Sequence, residues 1–464
     1  FYLTQEYISK SFVHAKYAKY SAGLLTTYLK SDIDNFTSKD LSFYLKNITK
    51  ETFYAFCGVL YATISVITDI LYLSLMFLLI FGTIEIAEVP NIIFLLFALG
   101  LIFTLLIYNI KKVGFDKLNS ENAIYQEAYD SLLSIIEIKI FKKIENFSLR
   151  YFYSVSKFAR SLVKQAIFNI SPKIILEISL AIILIVLALQ EFNLSSKANL
   201  FGIIGYAIFR MIPPIARVVS HLNVFSFHYA TNKLLENEFK KYKVKKIYET
   251  KIVPEEILNI SIKDVEHKYN DQNKIFRNVN LKINKGEILG VYGESGSGKT
   301  TLLNCLSGIK KFTSGKYFIN DFNFSDKEID WRNKIAYMSQ NSYIANHSLT
   351  ETLFLKSKIT EDENNEAIKY LKKFNLNHLV DFLGKTNLSL RSTLSGGEKQ
   401  RLSFIRCIVL NPKVLLLDEP TSSLDEHNEI LLMNELISIK KNKIIFLSTH
   451  KEYLKKYFDK TYEL

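Results

Sequence analysis

The residues with the clearest chemical potential lie between 293 and 301, in the run GESGSGKTT. They fit the pattern G-x-x-x-x-G-K-[ST]. Gly293, Gly298, Lys299 and Thr300 take its fixed positions, and Ser295, Gly296, Ser297 and Thr301 complete the loop. Glycines spaced this way let successive backbone N–H groups turn inward and cradle a polyphosphate. The lysine reaches the outer phosphates, and the hydroxyl of Thr300 is a ligand for the Mg²⁺ that bridges them. A second group is the acid pair Asp418-Glu419, which closes the run KVLLLDE. Asp418 would orient the Mg²⁺ with its water shell, and Glu419 is the candidate general base for an attacking water. Taken alone, the pair also reads as an acidic turn before Pro420. The third group is Ser395, Gly396 and Gly397 in TLSGGEKQR. These residues open a helix and form either a second phosphate-binding N-terminus or an ordinary cap.

Each group needs an element to hold it. Residues 287–292 read as a buried strand and 301–307 as a helix, so the loop between them gains the positive end of a helix dipole. The continuous apolar run 413–418 ends in an acid, as a fully buried strand would at its carboxyl end. Ligands of open parallel sheets bind at that end. After Val253-Pro254, short strands and helices alternate, which predicts an α/β domain over 257–464 with a mostly parallel core. The charged stretch before it gives a linker over 241–256.

Residues 1–240 differ in kind. Four stretches are long and apolar enough to span a bilayer, near 56–84, 92–110, 168–189 and 200–218. The run from Ile174 to Leu189 is apolar all round apart from Glu177, which argues against a buried soluble core. The short loops after the first and third spans are acidic or nearly neutral, whereas 111–164 and 233–251 are rich in Lys and Arg. Positive segments stay inside, so both ends and the long middle loop are cytoplasmic. That loop keeps helical periodicity and predicts two helices meeting in a cytoplasmic hairpin, about 35–40 Å beyond the membrane. The polar stretch 31–40 predicts a tight turn before the first span. Asp69, Glu177 and Arg210 lie inside spans and should face the bundle interior or an aqueous cavity, either to fix packing or to contact substrate. Pro213-Pro214 beside Arg210 should kink or break its helix.

The whole-chain balance agrees. A chain of 464 residues with 48% hydrophobic content has room for two or three domains, one of them in lipid. The net charge of +13 flanks apolar runs, which favours a membrane over nucleic acid. Cys57, Cys305 and Cys407 have no metal or disulfide spacing; Cys305 and Cys407 read as buried free thiols.

With these motifs in order, the chain closely resembles the ATP-binding cassette (ABC) superfamily. GESGSGKTT is similar to Walker A, LSGGEKQR to the family signature, and VLLLDEP to Walker B with its catalytic glutamate, Glu419. Gln340 resembles the Q-loop glutamine that helps hold Mg²⁺, and Asp425 closes a D-loop-like Ser422-Ser-Leu-Asp425. His450 resembles the switch histidine, and Tyr269 the aromatic that stacks on adenine. Spans fused to one cassette resemble a type IV exporter half-transporter. The implied fold is a membrane α-helical bundle, with four of the family's six spans present, plus an α/β P-loop NTPase cassette with a helical subdomain. The start resembles the inner end of a second span, so an N-terminally truncated chain is expected. Residues 384–392 depart from the Gly-Glu-rich loop common in exporters.

The resemblance implies a homodimer in which two cassettes close around two ATP molecules. Each site would join one chain's phosphate loop to the other's Ser395–Gly397, and closure would drive the helices through coupling segments near 31–46 and 132–144. It implies a multi-pass protein of the bacterial inner membrane, with the cassette in the cytoplasm. The stretch from Phe209 to Arg217 is similar to its counterpart in flippases for lipid-linked oligosaccharides, which makes Arg210 and Arg217 candidate substrate contacts. The alternatives are a multidrug or lipid A-type lipid exporter, a peptide or bacteriocin exporter, a soluble cassette ATPase and a decayed gene. Retention of every ATP-site residue speaks against decay.

Overall fold

The computed structural model describes residues 2–31, 33–36, 39–81, 89–189, 198–243, 250–270, 273–325, 327–340, 343–346, 348–385 and 393–464. The chain divides into two compact units, Phe1–Lys245 and Lys246–Leu464.

The first unit is helical. Helix α1 (Tyr2–Leu29) is followed by the single turn Ile33–Phe36 and by α2 (Leu41–Lys46). The backbone then passes through two π-helical stretches, Asn47–Glu51 and Tyr54–Leu60, into α3 (Tyr61–Phe81). Among the described residues, Leu41–Leu78 is long and apolar enough to cross a membrane. The helix of the first expected span therefore starts before residue 56, and residues 82–84 lie outside the described residues. Two long helices follow, α4 (Val89–Leu133) and α6 (Ile144–Leu189), joined through the short α5 (Ile135–Ile140) and packed against each other. At 45 and 46 residues they each run about 68 Å, long enough to cross a bilayer and continue well past it. Helices α7 (Ala198–Phe227) and α8 (Tyr229–Lys243) complete the unit. The expected spans at 92–110, 168–189 and 200–218 fall within α4, α6 and α7. The side chains at 79–109, 182–208 and position 180, and the loops 82–88 and 190–197, lie outside the described residues.

One expectation is corrected here. Pro213 and Pro214 do not break α7, which continues to Phe227, and Pro172 is likewise carried inside α6. The cost of the missing N–H donors is offset by packing, because Ile212 and Ala216 are buried against Leu176 of α6. Of the span charges, Asp69 is 7% exposed, and Glu177 and Arg210 are exposed in this unit, as the wall of an aqueous cavity would be. Glu177 pairs with Lys173 one turn earlier, at 3.7 Å.

A buried charge network joins α2, the first π stretch, α4 and α8. Lys46 pairs with Glu51 at 3.0 Å, Lys117 with Glu121 at 2.6 Å and Lys50 with Glu121 at 2.5 Å. Thr231 Oγ1 donates to Glu51 at 2.7 Å, and Lys46 Nζ donates to Asn122. Lys117 Nζ also lies 3.9 Å from the centre of the Tyr54 ring, which stacks on the His228 imidazole at 4.9 Å.

The second unit is built on a parallel sheet. β4 (Ile288–Tyr292), β8 (Ile335–Met338), β9 (Val414–Asp418), β10 (Ile444–Thr449) and β11 (Lys460–Glu463) lie in the order β11-β4-β10-β9-β8. Every residue of β4, β9 and β10 is buried, which accounts for their unbroken apolar runs. An antiparallel sheet, β3-β2-β5-β6, joins β2 (Asn259–Asn270), β3 (Asn273–Asn284), β5 (Ser314–Ile319) and β6 (Phe322–Asn323). β1 (Thr250–Ile252) pairs with β7 (Glu328–Asp330). The helices of this unit are α9 (Lys299–Leu306), α10 (Leu349–Phe354), α11 (Glu361–Lys373), α12 (Gly396–Val409) and α13 (Glu426–Ile439). α10, α11 and α12 pack together around Phe374 and Phe404. Cys305 and Cys407 are buried free thiols, and Cys57 is half-buried.

Candidate functional site

Sheet order places the site. β10 lies between β4 and β9, with Thr449 opposite Tyr292 and Ser448 opposite Asp418. All three strands run parallel, so their carboxyl ends deliver Gly293, Glu419 and His450 to one edge.

The loop after β4 needs its glycines for specific reasons. Gly296 and Gly298 have φ of 87° and 103°, in the left-handed region. A Cβ on Gly298 would fall 2.5 Å from Ile275 Cγ2, whereas one on Gly296 would meet open space. Glu294, Ser295 and Gly296 are exposed at the mouth of the loop. Lys299, 5% exposed, folds back so that Nζ donates to the carbonyls of Gly293 and Glu294, both at 2.9 Å. Thr300 Oγ1 donates to Asp418 Oδ2 at 2.7 Å, and Thr301 is buried in the first turn of α9.

Asp418 is 1% exposed, and its other oxygen accepts from Ser448 Oγ at 2.6 Å. The Glu419 carboxylate accepts from Gln340 Nε2 at 3.0 Å. It lies 4.0 Å from Lys299 Nζ and 3.7 Å from His450 Nδ1, the histidine being more than half exposed. The fold thus brings Lys299, Thr300, Gln340, Asp418, Glu419 and His450 together.

The remaining candidates lie elsewhere. Ser395 caps α12 in a reciprocal box with Glu398, whose side chain also lies 3.2 Å from His378 Nε2. Among the described residues, no hydrogen bond or ion pair joins Ser395, Gly396 or Gly397 to the 293–301 loop. Asp425 caps α13 by accepting from the Asn428 backbone N–H at 2.8 Å, a bond that holds its carboxyl below the usual range. Tyr269 stands near the end of β2, and its side chain lies outside the described residues, as do 386–392 in the divergent segment. In the helical unit Arg217 is committed to Asp69, with Nη2 at 2.6 Å and Nε at 3.1 Å.

Reading the motifs missed two residues, Ser448 and Gln400. Ser448 bonds both Asp418 and the Glu419 backbone N–H, the latter at 3.0 Å. Its signal was available, since it sits one position before the last residue of a fully buried strand, where an apolar side chain is the norm.

The site fits a Mg²⁺-nucleotide. Ser297 Oγ is buried with no hydrogen-bond partner among the described residues, a Cβ on Gly296 would meet open space, and Lys299 Nζ donates to two loop carbonyls with the Glu419 carboxylate 4.0 Å away. A buried hydroxyl and a buried ammonium at a helix start are the donors that an anionic phosphate takes.

Comparison with known proteins gives the same result. Residues 276–422 match the family model described as ABC transporter. A probable ABC transporter ATP-binding/permease protein of Haemophilus influenzae is 34% identical over 202 residues, covering 42% of this chain and 36% of that protein. The phosphonates import ATP-binding protein PhnC of Fusobacterium nucleatum is 35% identical over 221 residues, covering 43% of this chain and 86% of that protein. The alpha-hemolysin translocation ATP-binding protein HlyB of Escherichia coli O157:H7 is 31% identical over 206 residues, covering 43% of this chain and 29% of its own length. The match therefore spans about a third of the length of the two larger relatives. In fold, a bacterial Atm1-family ABC exporter solved with ATP bound superposes with a TM-score of 0.82, covering 98% of this chain and 81% of that one at 15% identity. The phosphate loop, the acid pair and the kinship to PhnC lead to one assignment: the chain belongs to the ABC transporter family.

Proposed function

We propose that this chain is one half of an ATP-driven exporter. Two copies would pair to complete two nucleotide sites, and the cargo would be a lipid-linked oligosaccharide moved across the bacterial inner membrane. The observation that carries the reading is the separation within one chain. Lys299, Thr300, Asp418 and Glu419 form one half of a site, while the cap of α12 makes no hydrogen bond to the 293–301 loop among the described residues. A second copy supplies the missing half.

Lys299 and the loop N–H groups bind the outer phosphates, and Lys299 exchanges its carbonyl partners for phosphate oxygens. Thr300, Asp418 and Gln340 would hold Mg²⁺, which when bound neutralises charge on the phosphate oxygens. Glu419 takes a proton from the attacking water at a carboxylate oxygen. Gln340 and His450 fix the direction of that carboxylate, since both already lie against it. Tyr269 stacks on the base, and Ser295, Ser297, Thr301 and Asp425 complete the two faces of the composite site.

The cargo reading rests on α7. Arg210 is exposed there beside Phe209, which is 63% exposed, so a phosphate-binding fork adjoins apolar surface. Arg217 contributes through its pair with Asp69.

The test is transport in proteoliposomes, with polyprenyl-pyrophosphate glycan, phospholipid and peptide run in parallel. The expected result is ATP-dependent movement of the glycan lipid, absent in Glu419→Gln. Movement of peptide alone would replace the cargo with the class named by the hemolysin-translocating relative. Movement of none would remove the transport reading.

A further inference from the structure

The Glu419 backbone has φ of 47°, in the left-handed region that a non-glycine residue occupies only when its surroundings hold it there. Two sets of hydrogen bonds do so. On one side the Glu419 N–H donates to Ser448, to its carbonyl at 3.2 Å and to Oγ at 3.0 Å. On the other, the Glu419 carbonyl accepts from Gln400 Nε2 at 2.8 Å.

Gln400 is 5% exposed, and its whole amide is engaged with this loop. Nε2 also donates to Ser422 Oγ at 3.0 Å, and Oε1 accepts from the Ser423 N–H at 2.7 Å. The residue stands one turn into α12, on the same face as Gly396 and Gly397. A Cβ on Gly397 would lie 3.0 Å from the Ser423 carbonyl oxygen, so glycine is what allows this helix so close to the loop. The far end of the loop is fixed by Asp425 at the start of α13. A short segment, 419–425, is therefore pinned by Ser448, Gln400 and Asp425.

We propose that Gln400 is a positioning residue for Glu419. It holds the strained backbone that aims the carboxylate, and it ties that aim to the place of α12. The helix whose first turn presents Ser395, Gly396 and Gly397 thus grips the backbone of the general base one turn later. A shift of the helix start is passed to the base through directional hydrogen bonds rather than through a flexible loop. The proposal rests on the reading of Glu419 as the base.

The experiment measures steady-state ATP hydrolysis and nucleotide affinity of the full chain in proteoliposomes, for Gln400→Met and Gln400→Glu. Methionine keeps the length and removes every hydrogen bond. Glutamate keeps the acceptor for Ser423 and removes the donor to Glu419. Both should lower kcat by about tenfold or more, with KM and ATP affinity within about twofold. In a Glu419→Gln background, Gln400→Glu should cause no further loss, because the two changes act through one carboxylate. Gln400→Glu is isosteric and carries the test should the methionine variant not fold. An unchanged kcat in Gln400→Glu, or a full additional loss in the Glu419→Gln background, would overturn the positioning role. If Glu419→Gln itself left hydrolysis intact, the failure would lie with the base assignment.

Discussion

In the cassette, Lys299, Asp418 and Glu419 arrive at one sheet edge from separated stretches of chain, beside the unpartnered Ser297 hydroxyl. In the helical unit, Lys46, Glu51, Lys117 and Glu121 close on each other between packed helices, each almost wholly buried. The first arrangement holds its charges ready for a ligand. The second directs each ion toward an oppositely charged neighbour and fixes how the helices sit together. Perturbing the first should change chemistry at constant stability, and perturbing the second should change stability first.

The largest effect is expected at the base. Glu419→Gln should lower ATP turnover by about 10²–10⁴ while nucleotide binding and the melting temperature hold. A large fall in melting temperature would break the comparison, because it would make the cassette charges structural as well.

Next comes Glu121→Ala, which leaves Lys117 and Lys50 without their main partner. Removing one member of a buried pair costs about 3–5 kcal/mol, so chemical denaturation should show a loss of that order. Unchanged stability would mean that water reaches this network.

Stability should also depend on pH through His228. Burial, reinforced by the Lys117 charge, depresses its imidazole from 6.5 to about 4. The folded state therefore binds its proton less readily than the unfolded state. The contribution, about 3 kcal/mol, is fully present above pH 6.5 and is lost as pH falls toward 4. His228→Phe should flatten that part of the pH-stability curve. An unaltered slope would assign it to other groups.

The smallest change sharpens the cargo reading. Arg210→Ala should reduce substrate-stimulated hydrolysis several-fold more than basal hydrolysis, the scale of one charge-assisted contact. Equal losses in the two rates would make Arg210 structural.

Most of the cassette was legible before the fold was known, for a physical reason. A phosphate cradle needs consecutive backbone amides and a lysine at fixed spacing, so 293–301 carries its own geometry. A buried parallel strand must be apolar throughout, which exposed β4 and β9 in the sequence. The helical unit was legible as spans and a long hairpin, because length and hydropathy are local. Its charge pairs were not. Asp69 and Arg217 are separated by 148 positions, and either could have faced substrate on sequence alone. Glu177 and Arg210 were expected to face the bundle interior or an aqueous cavity, and in this unit both are exposed. Which face of a helix is inward depends on its neighbours.

The sequence by itself determined the chemistry: which residues can cradle a polyphosphate, which acid can accept a proton, and which stretches belong in lipid. These follow from side-chain type and short spacing. Only the tertiary structure decided that Ser448 and Gln400 hold the Glu419 backbone, that Arg217 grips Asp69, and that Pro213-Pro214 stay inside a continuous helix. Such contacts join distant parts of the chain, and their energies depend on burial and direction, which exist only once the elements are packed.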